Sequence, residues 1–219
     1  MKKLLVITAI AFSLFSRCKK DCGENIMSNE SCDTDSLVVI DSNSLDLQKF
    51  VTRKNVSSLF GQANAIKQVD KQGEIEWVGN NSIQKFPSNE YYLLITNYAD
   101  TSWVGLEYWA YQRENIGVKF DPYTLGRQVV LDENAYTKNK TLNFARYNVW
   151  LDDYLDASWD INLAEGSYIN VVKIDQSTKI VEGEFNLYFK LKEQSSLPGV
   201  MYSDKIRFRC GKFKSKIVE

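Results

Sequence analysis

Histidine is absent from the 219 residues. That removes Ser-His-Asp and Cys-His catalysis, His-ligated zinc and the usual near-neutral general base. Any catalysis would rest on carboxylates, Tyr, Lys or Cys. Glycine is scarce, at 11, and never clusters in threes. Gly-rich phosphate loops, Walker patterns, G-x-S-x-G and H-E-x-x-H are all missing. Internal repeats and low-complexity segments are lacking too. Charge of one sign is not in excess, since the formal net charge is −1. Residues 1–17 hold Lys2, Lys3 and Arg17 and no acid, so the chain beyond them is more acidic still. A nucleic-acid binder would be basic overall, and no nucleic-acid partner is expected.

What is present suits one folded domain. The hydrophobic fraction is 44% and the aromatic fraction 13%, enough for a sizeable core and too much for a disordered chain. Met1-Lys2-Lys3 is a basic start, and residues 4–15 form an apolar run. The run is too short to span a bilayer, which needs about 20 apolar residues. It reads as a signal peptide over residues 1–17. Leu14-Phe15-Ser16-Arg17-Cys18 has the outline of a lipobox, with Cys18 as the lipidated mature N-terminus. Arg17 departs from that outline, where a small residue is usual. The alternative is ordinary cleavage after Ser13, which would leave a periplasmic or secreted protein.

Residues 18–36 are polar and read as a flexible tether, and residues 37–219 as a single β-rich domain. Beyond Cys18 the cysteines are Cys22, Cys32 and Cys210. A Cys22–Cys32 bridge suits an exported chain. Cys210 falls on the apolar parity of its segment and reads as a buried free thiol.

Two C-terminal segments organise the rest. Across residues 179–192, Val181, Phe185, Leu187, Phe189 and Leu191 share one parity, against Glu182, Glu184, Asn186, Lys190 and Lys192. That is the period-two pattern of a half-buried antiparallel strand. Residues 205–218 begin alike, and the phase then flips at Gly211, as a β-bulge would make it do. Strands are also expected at 75–78, 91–98, 103–112, 116–120, 127–131, 141–151 and 168–174. Turns are expected at 79–82, 113–115 and 132–139. A short helix over 44–59 follows from Ser44 as N-cap and rough helical spacing. The fold class expected is all-β, an antiparallel β-sandwich or flattened barrel, with one short helix near the N-terminus.

Four stretches read together as one block: Gly166-Ser167-Tyr168-Ile169, Lys173-Ile174-Asp175, Ile180-Val181-Glu182-Gly183-Glu184-Phe185, and Ile206 through Gly211-Lys212-Phe213. The block resembles the C-terminal half of a family of uncharacterised lipoproteins of Bacteroidota. The resemblance covers roughly residues 90–217 and the leader. It implies a lipid-anchored outer-membrane protein, with the cell surface as its place of display. It carries over no catalytic residue, because its motifs are glycines and core aromatics.

Three clusters are candidate sites. The stretch 151–160 places Asp152, Asp153, Asp156 and Asp160 beside Trp150, Tyr154 and Trp159. Clustered oxygens suit Ca²⁺, though the EF-hand order is missing. Trp and Asp together also suit a glycan, and paired carboxylates suit glycoside hydrolysis at a defined separation. Against these stands a solvated acidic loop with its aromatics in the core. Trp103, Trp109 and Tyr111 share one parity and would either join the core or line a groove. Arg207, Arg209, Lys212, Lys214 and Lys216 form a basic row that reads as a solvated face, with Glu182 and Glu184 across the hairpin. The functional expectation is a non-enzymatic binding or interaction module, needing no cofactor, whose partners are the membrane, through the anchor, and an envelope protein or glycan. The alternatives are a glycan-binding accessory protein and a carboxylate-based hydrolase.

Overall fold

The computed structural model describes residues 60–98, 102–103, 109–110, 112–151, 153–195 and 202–219. Twelve strands and one helix occupy them. In chain order they are β1 (Gln62–Val69), β2 (Gly73–Lys85), β3 (Tyr91–Tyr98), β4 (Ser102–Trp103), β5 (Trp109–Ala110), β6 (Gln112–Phe120), β7 (Gly126–Val129), α1 (Glu133–Lys138), β8 (Ala145–Leu151), β9 (Tyr154–Ile161), β10 (Tyr168–Asp175), β11 (Ile180–Gln194) and β12 (Lys205–Val218). The all-β expectation holds.

Ten strands form one sheet, and its pairings trace a near-closed ring: β12, β1, β2, β3, β6, β8, β9, β11 and back to β12. The ring makes the fold a flattened barrel. All these pairings are antiparallel. A short parallel contact, Ile217↔Ile83 and Val218↔Gln84, forms where β12 runs past the start of β1 and meets β2. The length of β11 lets it change neighbours. Its second half pairs with β9, and its first half pairs with β10, which carries β7 outside the ring.

The inward rows fill the barrel with side chains, as small barrels require. Trp77, Tyr147, Trp159, Phe189 and Phe208 are all fully buried. Phe208 sits 4.9 Å from Trp77 and 5.2 Å from Tyr147, edge-on to both, a geometry aromatic pairs favour.

The phase flip at Gly211 is a bulge. The register of β12 slips between Lys212 and Arg209 opposite β1, and between Gly211 and Phe208 opposite β11. Cys210 takes the extra place with φ 53°. It is therefore off the inward row, only half-buried, and disulfide-bonded. That corrects the expectation of a buried free thiol. Its partner cysteine lies outside the described residues.

Beyond the bulge, β11 and β12 interlock through glycine and phenylalanine. Phe185 faces Gly211, and Gly183 faces Phe213. A Cβ on Gly211 would stand 2.3 Å from the Phe185 ring, and one on Gly183 2.5 Å from the Phe213 ring. Each ring thus lies over the opposite glycine, where no side chain fits. Just before the start of β11, the Asp175 carboxylate accepts from Ser177 and Thr178 and holds the turn from β10. The Ser177 bonds first, then those of Thr178, draw its pKa down to about 2.

Several local expectations need correction. The helix expected over 44–59 lies outside the described residues, and α1 stands where the turn over 132–139 was expected. Asp132 caps it by accepting from the Ala135 amide at 2.8 Å. The turn expected at 79–82 is the middle of β2. Gly79 lies there against β3, where a Cβ would meet the Ile95 side chain at 2.7 Å. The turn expected at 113–115 is the start of β6. The single strand expected over 103–112 is the short pair β4 and β5, with Trp103 opposite Trp109, and then the start of β6. Neither β1 nor β9 was expected.

Candidate functional site

The outer faces of β3, β6 and β8 form three cross-strand rows. Arg113 and Trp150 make the first, Thr96, Asn115 and Asn148 the second, and Leu94, Gly117 and Arg146 the third. The middle row extends to Ser158 on β9, so hydroxyls and amides run across four strands. Gly117 has no side chain to fill its place, which leaves a depression between Leu94 and Arg146. The result is a groove of about 470 Å³, walled by Tyr92, Phe144 and Trp150 and closed at one end by Glu133 of α1.

Trp150 is held from two sides. The Arg113 guanidinium lies 5.4 Å from its ring centroid, a favourable cation–π arrangement. With the Asn115 amide assigned the orientation that satisfies both its groups, its oxygen accepts from Trp150 Nε1 at 3.2 Å and its nitrogen donates to Thr96 Oγ1 at 3.0 Å. Asn148 Oδ1 accepts from Ser158 Oγ at 2.8 Å, which leaves the Asn148 amide nitrogen as an unused donor on the groove.

The α1 end is pinned by charge. Glu133 pairs with Lys192 at 2.6 Å and with Arg146. The Lys192 bond first, then the Arg146 charge, hold the Glu133 carboxyl below its ordinary value, against the push of burial. Asp160 Oδ1 accepts from the Glu133 backbone amide at 3.0 Å. Tyr136 stacks on Phe144 at 4.4 Å and donates to Glu90 at 3.0 Å, and Glu90 pairs with Lys119 at 3.1 Å. Burial, then Tyr136 and Glu90, push the Tyr92 hydroxyl well above the usual tyrosine range, so it stays protonated.

The inner face of β6 carries a second polar cluster, which no sequence pattern announced. Glu114 Oε1 accepts from Lys67 Nζ at 2.7 Å and from the Tyr147 hydroxyl at 2.7 Å, while Oε2 accepts from Trp77 Nε1 at 2.5 Å. The Lys67 and Glu114 side chains are both fully buried.

The expected site residues disperse. Trp150 lies on the groove, whereas Trp159 is in the core with Nε1 donating to Ser203 O at 2.9 Å. The two therefore sit on opposite sides of the sheet and do not make one platform. The Trp103 and Trp109 side chains, Tyr111 and Asp152 lie outside the described residues, as do Cys18, Cys22 and Cys32. The stretch 151–160 is not a loop but largely β9. Asp153 is exposed, Asp156 is buried and accepts from Ser195 and Tyr202, and Asp160 supports α1. Among the described residues no group of three or more acids or cysteines could hold a metal ion. In the basic row, Lys214 pairs with Glu182 as expected, and Arg209 pairs with Glu74 of β2. No helix among the described residues is long and apolar enough to cross a membrane. Comparison with protein-family models, with curated proteins and with solved structures finds no match.

Proposed function

We propose that the chain is an exported protein of the outer membrane, lipid-anchored at Cys18, that works as a non-enzymatic binding module and takes a saccharide on the outer face of its barrel. The leader, and the resemblance to lipoproteins of Bacteroidota, support the location. The groove over β3, β6 and β8 carries the binding reading. It sets ring faces beside a row of side-chain amides and hydroxyls. A sugar presents the complement, an apolar C–H face ringed by hydroxyls. Among the described residues, the one carboxylate lining the groove is Glu133, already paired with Lys192 and Arg146. A glycosidase would place two carboxyl groups across the bond it cleaves. The lining therefore favours binding over hydrolysis.

Calorimetric titration of a saccharide panel tests this against Gly117→Leu. A Cβ at Gly117 meets nothing closer than 3.7 Å, so a larger side chain fills the groove without straining the barrel. Binding that survives this substitution would refute the groove as the site. For the anchor, Cys18→Ala should release the protein from the membrane fraction, and retention there would refute lipidation.

A further inference from the structure

We infer that the saccharide bound in this groove is acidic, and that its carboxylate or sulfate is received by Arg113. The inference rests on the proposed binding function and narrows it to a ligand class. Two arginines line the groove, and they differ in state. Arg146 is neutralised by Glu133. Arg113 has no acid partner among the described residues, and its guanidinium lies over the Trp150 ring, 5.4 Å from the centroid. Its Nε is buried without a hydrogen-bond partner, and the residue lines the groove. A guanidinium positioned by a ring keeps its terminal donors free, and their geometry matches the two oxygens of an acid group.

The register places the rest of the ligand. Arg113 and Trp150 are opposite each other, and Asn115 and Asn148 form the next outward row, about 7 Å along the strands. That spacing suits one sugar ring. An acid group at Arg113 would put the ring's hydroxyls against the Asn148 amide nitrogen and the Thr96–Asn115 pair.

The test compares trigalacturonate, its methyl-esterified counterpart and a sulfated galactose trisaccharide, each titrated into wild type, Arg113→Gln and Gly117→Leu. A hydrogen-bonded charge at Arg113 should favour the acidic probes over the ester by about tenfold or more. Arg113→Gln should erase that preference, whatever it does to the affinity shared by acid and ester. The carboxylate and sulfate arms then identify which anion the site prefers. Equal affinity for acid and ester, with both lost in Gly117→Leu, would overturn the acidic ligand and leave the saccharide site standing. A preference that persists in Arg113→Gln would also overturn it. Binding indifferent to Gly117→Leu would overturn both.

Discussion

Three consecutive residues of β6 serve two opposite environments. Glu114 points into the barrel, and Arg113 and Asn115 point out into the groove. Each side has the same parts, which are a cation, a carboxylate, a tryptophan and a tyrosine. Inside, one carboxylate gathers the donors of Lys67, Trp77 and Tyr147, and all four side chains are fully buried. Outside, the carboxylate has gone to the far end of the groove, and Arg113 and Asn148 keep donors unused. The difference is solvent. A buried charge must find its partners within the protein or destabilise the fold. A charge facing a groove can wait for a ligand.

The largest effect that would break this contrast is inside. Glu114→Ala removes the carboxylate that faces the buried Lys67 ammonium and should cost about 3–5 kcal/mol in denaturant unfolding. The double change Lys67→Met with Glu114→Leu should recover part of that loss, because it removes the buried charge while still taking the Glu114 acceptor from Trp77 and Tyr147. If the single and double variants are equally unstable, the cluster does not act as a charge pair.

Next comes the interlock of β11 and β12. Gly211→Ala forces the Phe185 ring to move and should cost about 1–3 kcal/mol. Pairing it with Phe185→Leu tests the cause, since a smaller side chain opposite should relieve part of the penalty. Additive losses would show that the ring is not what Gly211 accommodates.

On the outer face the same kinds of residue should matter little to stability. Trp150→Ala should cost about 1 kcal/mol, the scale of an exposed cation–π contact, while abolishing saccharide binding. A loss as large as that of Glu114→Ala would make Trp150 part of the fold's framework.

The smallest effect is a pH dependence at the α1 end. Glu133 has a lowered pKa in the fold, so the stability it contributes is present above its ordinary value near 4.5 and fades as pH falls through the lowered one. Wild type should therefore melt above Glu133→Gln at neutral pH, and the gap should close in acid. A gap that persists well below pH 4 would assign the effect to packing.

Much of the barrel was legible in the sequence. The strand expected at 91–98 and the one at 205–218 coincide with β3 and β12, because their inward rows are large and apolar. Elsewhere the period-two signal was disguised. The inward row of β1 is Ala63, Ala65, Lys67 and Val69, small side chains with a lysine among them. Glu114 likewise made the start of β6 look like a turn. Both gaps have one origin, since the two residues form the same buried pair. In β9 the alternation was intact, with Ala157, Trp159 and Ile161 against Asp156, Ser158 and Asp160. The count of acids drew attention away from their spacing. Within the groove, Trp150 was visible as a candidate, but its neighbours come from three strands whose register no local pattern encodes.

The bond at Cys210 turns membrane attachment into a question of parity. Cys210 shares its sulfur with one of the other three cysteines, which are Cys18, Cys22 and Cys32. If Cys18 carries lipid, its sulfur is a thioether, and the mate of Cys210 is Cys22 or Cys32. A Cys22–Cys32 bridge and a lipid on Cys18 then exclude each other, and one thiol stays free. Without lipid, the two remaining cysteines are both free or joined. An odd thiol count in the unfolded, unreduced monomer therefore reports the anchor, and an even count reports a chain that was never lipidated.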